Sequence, residues 1–172
     1  MIEALLKTGR YQFICLGGAI KHNDYTPQRV DPYGDDWKIF PVDGYGTQEL
    51  IRSVLQKERP DALWFMTDPR FYGWLWEIEN EIRANIPMIY YHVWDNFPAP
   101  SFNRHFYQSN DEVVCISKVT HEIVKSVVPE VSSRYLPHAV NGEIFKKFTK
   151  AEDKEKMTKI ATQLPGMQDF SF

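Results

Sequence analysis

Val113-Val114-Cys115-Ile116-Ser117-Lys118 is apolar on four successive residues and then turns polar at a serine. A strand with one wet face alternates in sequence, whereas an unbroken, β-branched run suits a strand whose sheet is covered by helices on both faces. Ser117 stands where a helix cap belongs, and Ile123, Val124, Val127 and Val128 follow at helical spacing. The same order, apolar run then helix, recurs along the chain and predicts crossover units in a parallel α/β sheet.

Working outward, Ile89-Tyr90-Tyr91 is a second continuous run. The predicted strands are Gln12–Leu16, Lys38–Val42, Ala62–Thr67, Met88–Val93, Glu112–Ser117 and Arg134–Leu136. Thr47 opens a helix with Leu50, Ile51, Val54 and Leu55 inward, and Asp68-Pro69 opens another with the stripe Phe71, Leu75, Ile78, Ile82. Pro60, Pro87 and Pro129 end the helices near the turns back into the sheet. The stretch Lys21 to Trp37 reads as an exposed connection.

The 172 residues suit one domain and a tail, with a net charge of -3 spread over interspersed acids and bases. No block of like charge tracks a phosphate backbone, so nucleic acid is not the expected partner. Neither a signal peptide nor a run of about 20 apolar residues is present, and the reading is a cytoplasmic protein without a transmembrane segment. Cys15 and Cys115 each lie inside an apolar run and read as small buried hydrophobes, with no metal site and no disulfide expected.

Both ends predict a fragment. The chain starts in a helix, Ile2 to Lys7, where crossover architecture starts with a strand, and after Phe148 a capping box, Thr149-Lys150-Ala151-Glu152, leads a polar helix toward Phe170-Ser171-Phe172. A complete small domain with a loose tail is the other reading. The expected division is 1–148 for the sheet domain and 149–172 for a connection to a further domain.

Ligands gather at the carboxyl ends of open parallel sheets. The polar residues there are Asp43, Asp68, His92, Asp95, Ser117, Lys118, His138 and Asn141. His92-Val93-Trp94-Asp95-Asn96 puts an imidazole, an indole, a carboxylate and a carboxamide together, a set suited to hydroxyl-rich ligands through hydrogen bonds and stacking. The same spacing also suits an interior histidine with turn residues after it. Ser117-Lys118 pairs a cap with a cation and could hold an anion, or be an ordinary cap beside a surface lysine. Asp68-Pro69 reads better as a cap than as a catalyst, and His22, His105 and His121 have no partner at metal-ligand spacing. No dinucleotide loop, Walker loop or nucleophile elbow is found.

From Val113 to Ser117, then through Tyr135-Leu136-Pro137-His138-Ala139-Val140-Asn141-Gly142-Glu143-Ile144-Phe145, the chain resembles the end of the N-terminal domain of family 4 glycosyltransferases. The family's Asn-Gly stands here as His138-Ala139 and its Asp as Asn141. The resemblance implies a Rossmann-like domain, one half of a GT-B architecture, with its first strand missing. It implies retaining sugar transfer from a nucleotide-sugar donor to a sugar or other acceptor, with no cofactor and no obligatory metal. His92 would be the catalytic-side contact to the transferred sugar, Asp95 would meet the acceptor or a nearby loop, Trp94, Ser117 and Lys118 would line the cleft, and the His138 to Asn141 turn would lie at its floor. The donor phosphates would be bound by a C-terminal domain absent here, so the chain would be inactive alone. A non-catalytic α/β module of flavodoxin-like or periplasmic type, holding a small ligand near Trp94 and Tyr90-Tyr91, is the alternative. A third is an incomplete fold that associates through its sheet edges.

Overall fold

The computed structural model describes all residues apart from Ala19, Asp95, Phe97, 146–150 and 164–172. The chain forms two compact units, Met1–His138 and Ala139–Phe172.

The first unit is α/β and Rossmann-like. Strands β4 (Leu63–Met66), β5 (Met88–His92), β6 (Glu112–Cys115) and β7 (Ser133–Tyr135) form an all-parallel sheet in that order. A second sheet has the order β1 (Phe13–Gly17), β3 (Gly34–Pro41), β2 (Gln28–Val30), with β1 parallel and β2 antiparallel to β3. The expected connection from Lys21 to Trp37 therefore also supplies an edge strand, turned back through a short hairpin that a three-residue partner does not betray in sequence. It is largely exposed, as a hairpin at a sheet edge is.

The helices obey their caps. α1 is Ile2–Leu6. Thr47 accepts the Leu50 N–H and starts α2 (Gln48–Glu58), which turns Ile51 and Val54 inward. α2 stops at Arg59, held at φ 48°, directly before Pro60. Asp68 accepts the Arg70 N–H, but the helix predicted after it is broken into a 3-10 turn (Pro69–Tyr72), α3 (Gly73–Trp76) and α4 (Glu79–Arg83). Leu75, Ile78 and Ile82 are buried as expected, while Phe71 is 49% exposed and lies flat on Tyr45, with ring centroids 4.5 Å apart. The proline start and Gly73 favour tight, separate turns over one long helix, so the stripe is kept and its first member swings out. A further 3-10 turn (Ser101–Asn103) leads into α5 (Arg104–Gln108), and Ser117 caps α6 (Lys118–Val127).

The core lies on the four-stranded sheet. Met88, Tyr90, Val113 and Cys115 are fully buried and meet Leu75 and Ile82 from the broken helix and Val124, Val127 and Val128 from the α6 region. Each large aliphatic side chain buried this way contributes roughly 1.5–3 kcal/mol. Burial pushes the Cys115 thiol up to about 12, so it packs as a hydrophobe. Among the described residues no helix is long and apolar enough to cross a membrane.

The second unit contains a turn in which the Asn141 side chain accepts the Glu143 N–H at 2.9 Å, and α7 (Ala151–Gln163). The predicted boundary at 148 and the first two residues of the capping box, Thr149 and Lys150, fall in 146–150, outside the described residues.

Candidate functional site

Because β4 to β7 are parallel, their carboxyl ends share one rim. It carries Thr67 and Asp68 after β4, Trp94 after β5, Ser117 and Lys118 after β6, and His138 beyond β7. Two of the exits are tied together. The Thr120 hydroxyl donates to the Trp94 carbonyl at 2.7 Å, and the Ser117 hydroxyl, 2.8 Å from that of Thr120, accepts the Thr120 N–H. The end of β5 is thus held against the capped start of α6. Trp94 itself is half-buried, edge-on to Phe102, and its indole N–H donates to the Asn96 carbonyl. Lys118 is exposed on the rim.

His92 is placed inside this wall and not on its surface. Its ring is fully buried, with Nδ1 2.9 Å from the Tyr90 hydroxyl and Nε2 2.8 Å from the Tyr107 hydroxyl. The direction of the bonds follows from the far end. The Thr67 carbonyl can only accept, so Tyr90 donates to it at 2.6 Å, and the Tyr90 oxygen is left to accept His92 Nδ1–H. Nε2 is then the acceptor of the Tyr107 O–H. Desolvation pulls the imidazole down to about 4, against a smaller opposing pull from Asp68, so it is neutral at pH 7. A ring with both nitrogens engaged and no exposed edge cannot touch a sugar, and the expected direct contact at His92 does not fit this geometry.

The network has a purpose at its other end. Thr67 is at φ 97°, a left-handed conformation costly for a β-branched residue, and its carbonyl is what Tyr90 holds. His92 and Tyr107 thereby brace a strained corner just before Asp68. Asp68 is clasped by the Arg70 guanidinium, with Nε at 2.9 and 3.1 Å from its two oxygens, which holds its carboxyl below the usual range.

Tyr91, on the next position of β5, donates to the Leu136 carbonyl at 3.0 Å, and its oxygen accepts from Nδ1 of His138 at 3.1 Å. His138 is therefore fastened to the same rim. Asn141 belongs to the other unit and is exposed there, and Asp95 lies outside the described residues. Of the expected site residues, Trp94, Ser117, Lys118 and His138 share the rim and His92 lies beneath it. Sequence reasoning passed over Tyr107 and Thr120. A buried tyrosine needs a partner for its hydroxyl, and that need was the available signal. Among the described residues no three His, Cys, Asp or Glu side chains are grouped as metal ligands would be. Comparison of the chain with models of protein families, with curated proteins and with solved structures found no match.

Proposed function

We propose that the chain is the acceptor-side wall of a retaining glycosyltransferase, one half of a GT-B pair of domains, which takes a sugar from a nucleotide-sugar donor without a cofactor or an obligatory metal. The observation that carries the reading is the tie between Trp94 and the Ser117–Thr120 cap, which sets a half-exposed indole beside a capped helix start on the carboxyl rim of a parallel sheet. A half-exposed indole suits the C–H surface of a sugar, and rim hydroxyls suit its oxygens.

Transfer develops positive charge on the sugar and negative charge on the departing diphosphate, so one wall must position the acceptor while another stabilises the leaving group. In this reading Trp94 stacks on the acceptor, Ser117 and His138 orient its hydroxyls, and Lys118 presents a cation at the mouth. His92 is a positioning residue that braces Thr67 through Tyr90 and keeps the rim in place from within. The chain by itself does not turn over, because the leaving-group wall is supplied elsewhere. The two free thiols, Cys15 and Cys115, support a reducing setting such as the cytoplasm for this reaction.

The test is an NMR titration of the full chain with maltose and with uridine diphosphate glucose at millimolar concentration. The Trp94 indole N–H and the amides of Ser117 and Lys118 should shift together and saturate, and Trp94→Ala should abolish the response. Shifts that cluster elsewhere, or survive in Trp94→Ala, refute the assignment.

A further inference from the structure

Asn103 does not do what its position favours. It is the N-cap of α5, where an asparagine side chain ordinarily accepts a backbone N–H of the first turn, yet its side chain makes no such bond. The side chain is instead fully buried, with Nδ2 3.5 Å from the Tyr107 hydroxyl, one helical turn further along. Among the described residues its Oδ1 accepts no hydrogen bond. For stability alone, a buried amide so sparsely satisfied is inferior to an apolar side chain of similar shape, and what distinguishes it from one is the bond it offers Tyr107.

An amide nitrogen can only donate, and the Thr67 carbonyl at the far end can only accept. Both ends therefore impose one direction on the groups between them. Asn103 donates to Tyr107, Tyr107 to His92 Nε2 at 2.8 Å, His92 Nδ1 to Tyr90 at 2.9 Å, and Tyr90 to the Thr67 carbonyl at 2.6 Å. The chain joins two parts of the wall that are far apart in sequence. At its start, the Asn103 N–H closes the 3-10 turn on the Pro100 carbonyl at 2.8 Å. That turn exposes Phe102, edge-on to Trp94 with ring centroids 6.0 Å apart, and buries Asn103 directly after it. At its end stands the left-handed corner of Thr67, directly before Asp68.

We propose that Asn103 is a positioning residue of the rim, which couples the Trp94–Phe102 flank to the Thr67–Asp68 corner through this one-way chain of buried hydrogen bonds. Each bond fixes the rotor or tautomer that makes the next, so a shift at one flank is carried to the other by groups that solvent does not reach. The role assigned to Asn103 rests on the reading of the rim as an acceptor wall. Its test uses no sugar, so a failure here is told apart from a failure of that reading.

The experiment compares the full chain with Asn103→Leu, Tyr107→Phe and the double variant at pH 7. Amide hydrogen exchange is followed at Arg70 and Phe71, whose N–H groups both bond to Asp68, with Val124 and Val127 of α6 as the reference. In the parent, the nitrogen chemical shifts of His92 should show a protonated Nδ1 and a bare Nε2. Each single variant should quicken exchange at Arg70 and Phe71 about tenfold over the reference, the scale of one lost hydrogen bond. The double variant should do no more than either single one, because both remove links of one chain. Asn103→Ala, which adds no volume, is read in the same way and serves if the leucine does not fold. Three results overturn the proposal: a protonated Nε2 in the parent; exchange at Arg70 and Phe71 unchanged in a folded Asn103 variant; or effects of the two substitutions that multiply in the double variant.

Discussion

Replacing His92 by glutamine should remove a pH dependence that the native fold builds in. Native His92 titrates near 4 because its ring is desolvated, whereas an unfolded chain exposes an imidazole of about 6.5. Between those values the unfolded chain binds a proton that the native one refuses, so stability is full above pH 6.5, falls as the pH drops, and is lost completely below about 4. The full difference is about 3 kcal/mol, and the part between pH 6.5 and 5 is about 2 kcal/mol. Asp68 is the charged group that bears on the ring, and it opposes the shift without overcoming burial. Glutamine keeps a donor and an acceptor for the tyrosine hydroxyls but does not titrate. Urea unfolding of both proteins at pH 7, 6 and 5 isolates the His92 contribution, since every other ionisable group is common to the pair. The stability gap between them should narrow by about 2 kcal/mol on going from pH 7 to pH 5. Parallel curves would show that the ring is protonated as readily in the fold as out of it, and the buried tyrosine network would have to be abandoned.

Two further outcomes follow from local geometry. A Cβ on Gly18 would sit 2.1 Å from the Gly44 carbonyl oxygen, so Gly18→Ala should cost about 3 kcal/mol, while Gly73→Ala, with open space at a helical φ, should stabilise by about 0.5 kcal/mol; comparing both urea midpoints with that of the parent checks the pair. Ser117→Ala removes the cap of α6 and the hydroxyl partner of Thr120, and a loss of about 1–2 kcal/mol in the same assay is expected, with Ser117→Asp restoring most of it.

The edges of the two sheets bear on how the isolated chain behaves. Among the described residues β1 and β4 have no strand partner on their outer edges, and such edges are a template for intermolecular pairing.

Periodicity alone determined the class of fold and the strands of the four-stranded parallel sheet, but not the edge strand Gln28–Val30. Val113 to Ile116 and Ile89 to Tyr91 suit their unbroken apolar runs to a sheet covered by helices, and Thr47 and Ser117 cap the helices they were expected to cap, while Asp68 caps only a 3-10 turn, because capping is a contact between near neighbours and helix length is not. Tertiary structure decided the rest. Whether a histidine at a strand end faces a ligand or the core depends on what packs over it, and Tyr107, fifteen residues away on α5, takes Nε2 while Tyr90 takes Nδ1. Local sequence cannot carry that information, because the groups that meet His92 are brought to it by chain crossings and not by spacing, and the same holds for the outer edges of β1 and β4, which exist only once both sheets have formed.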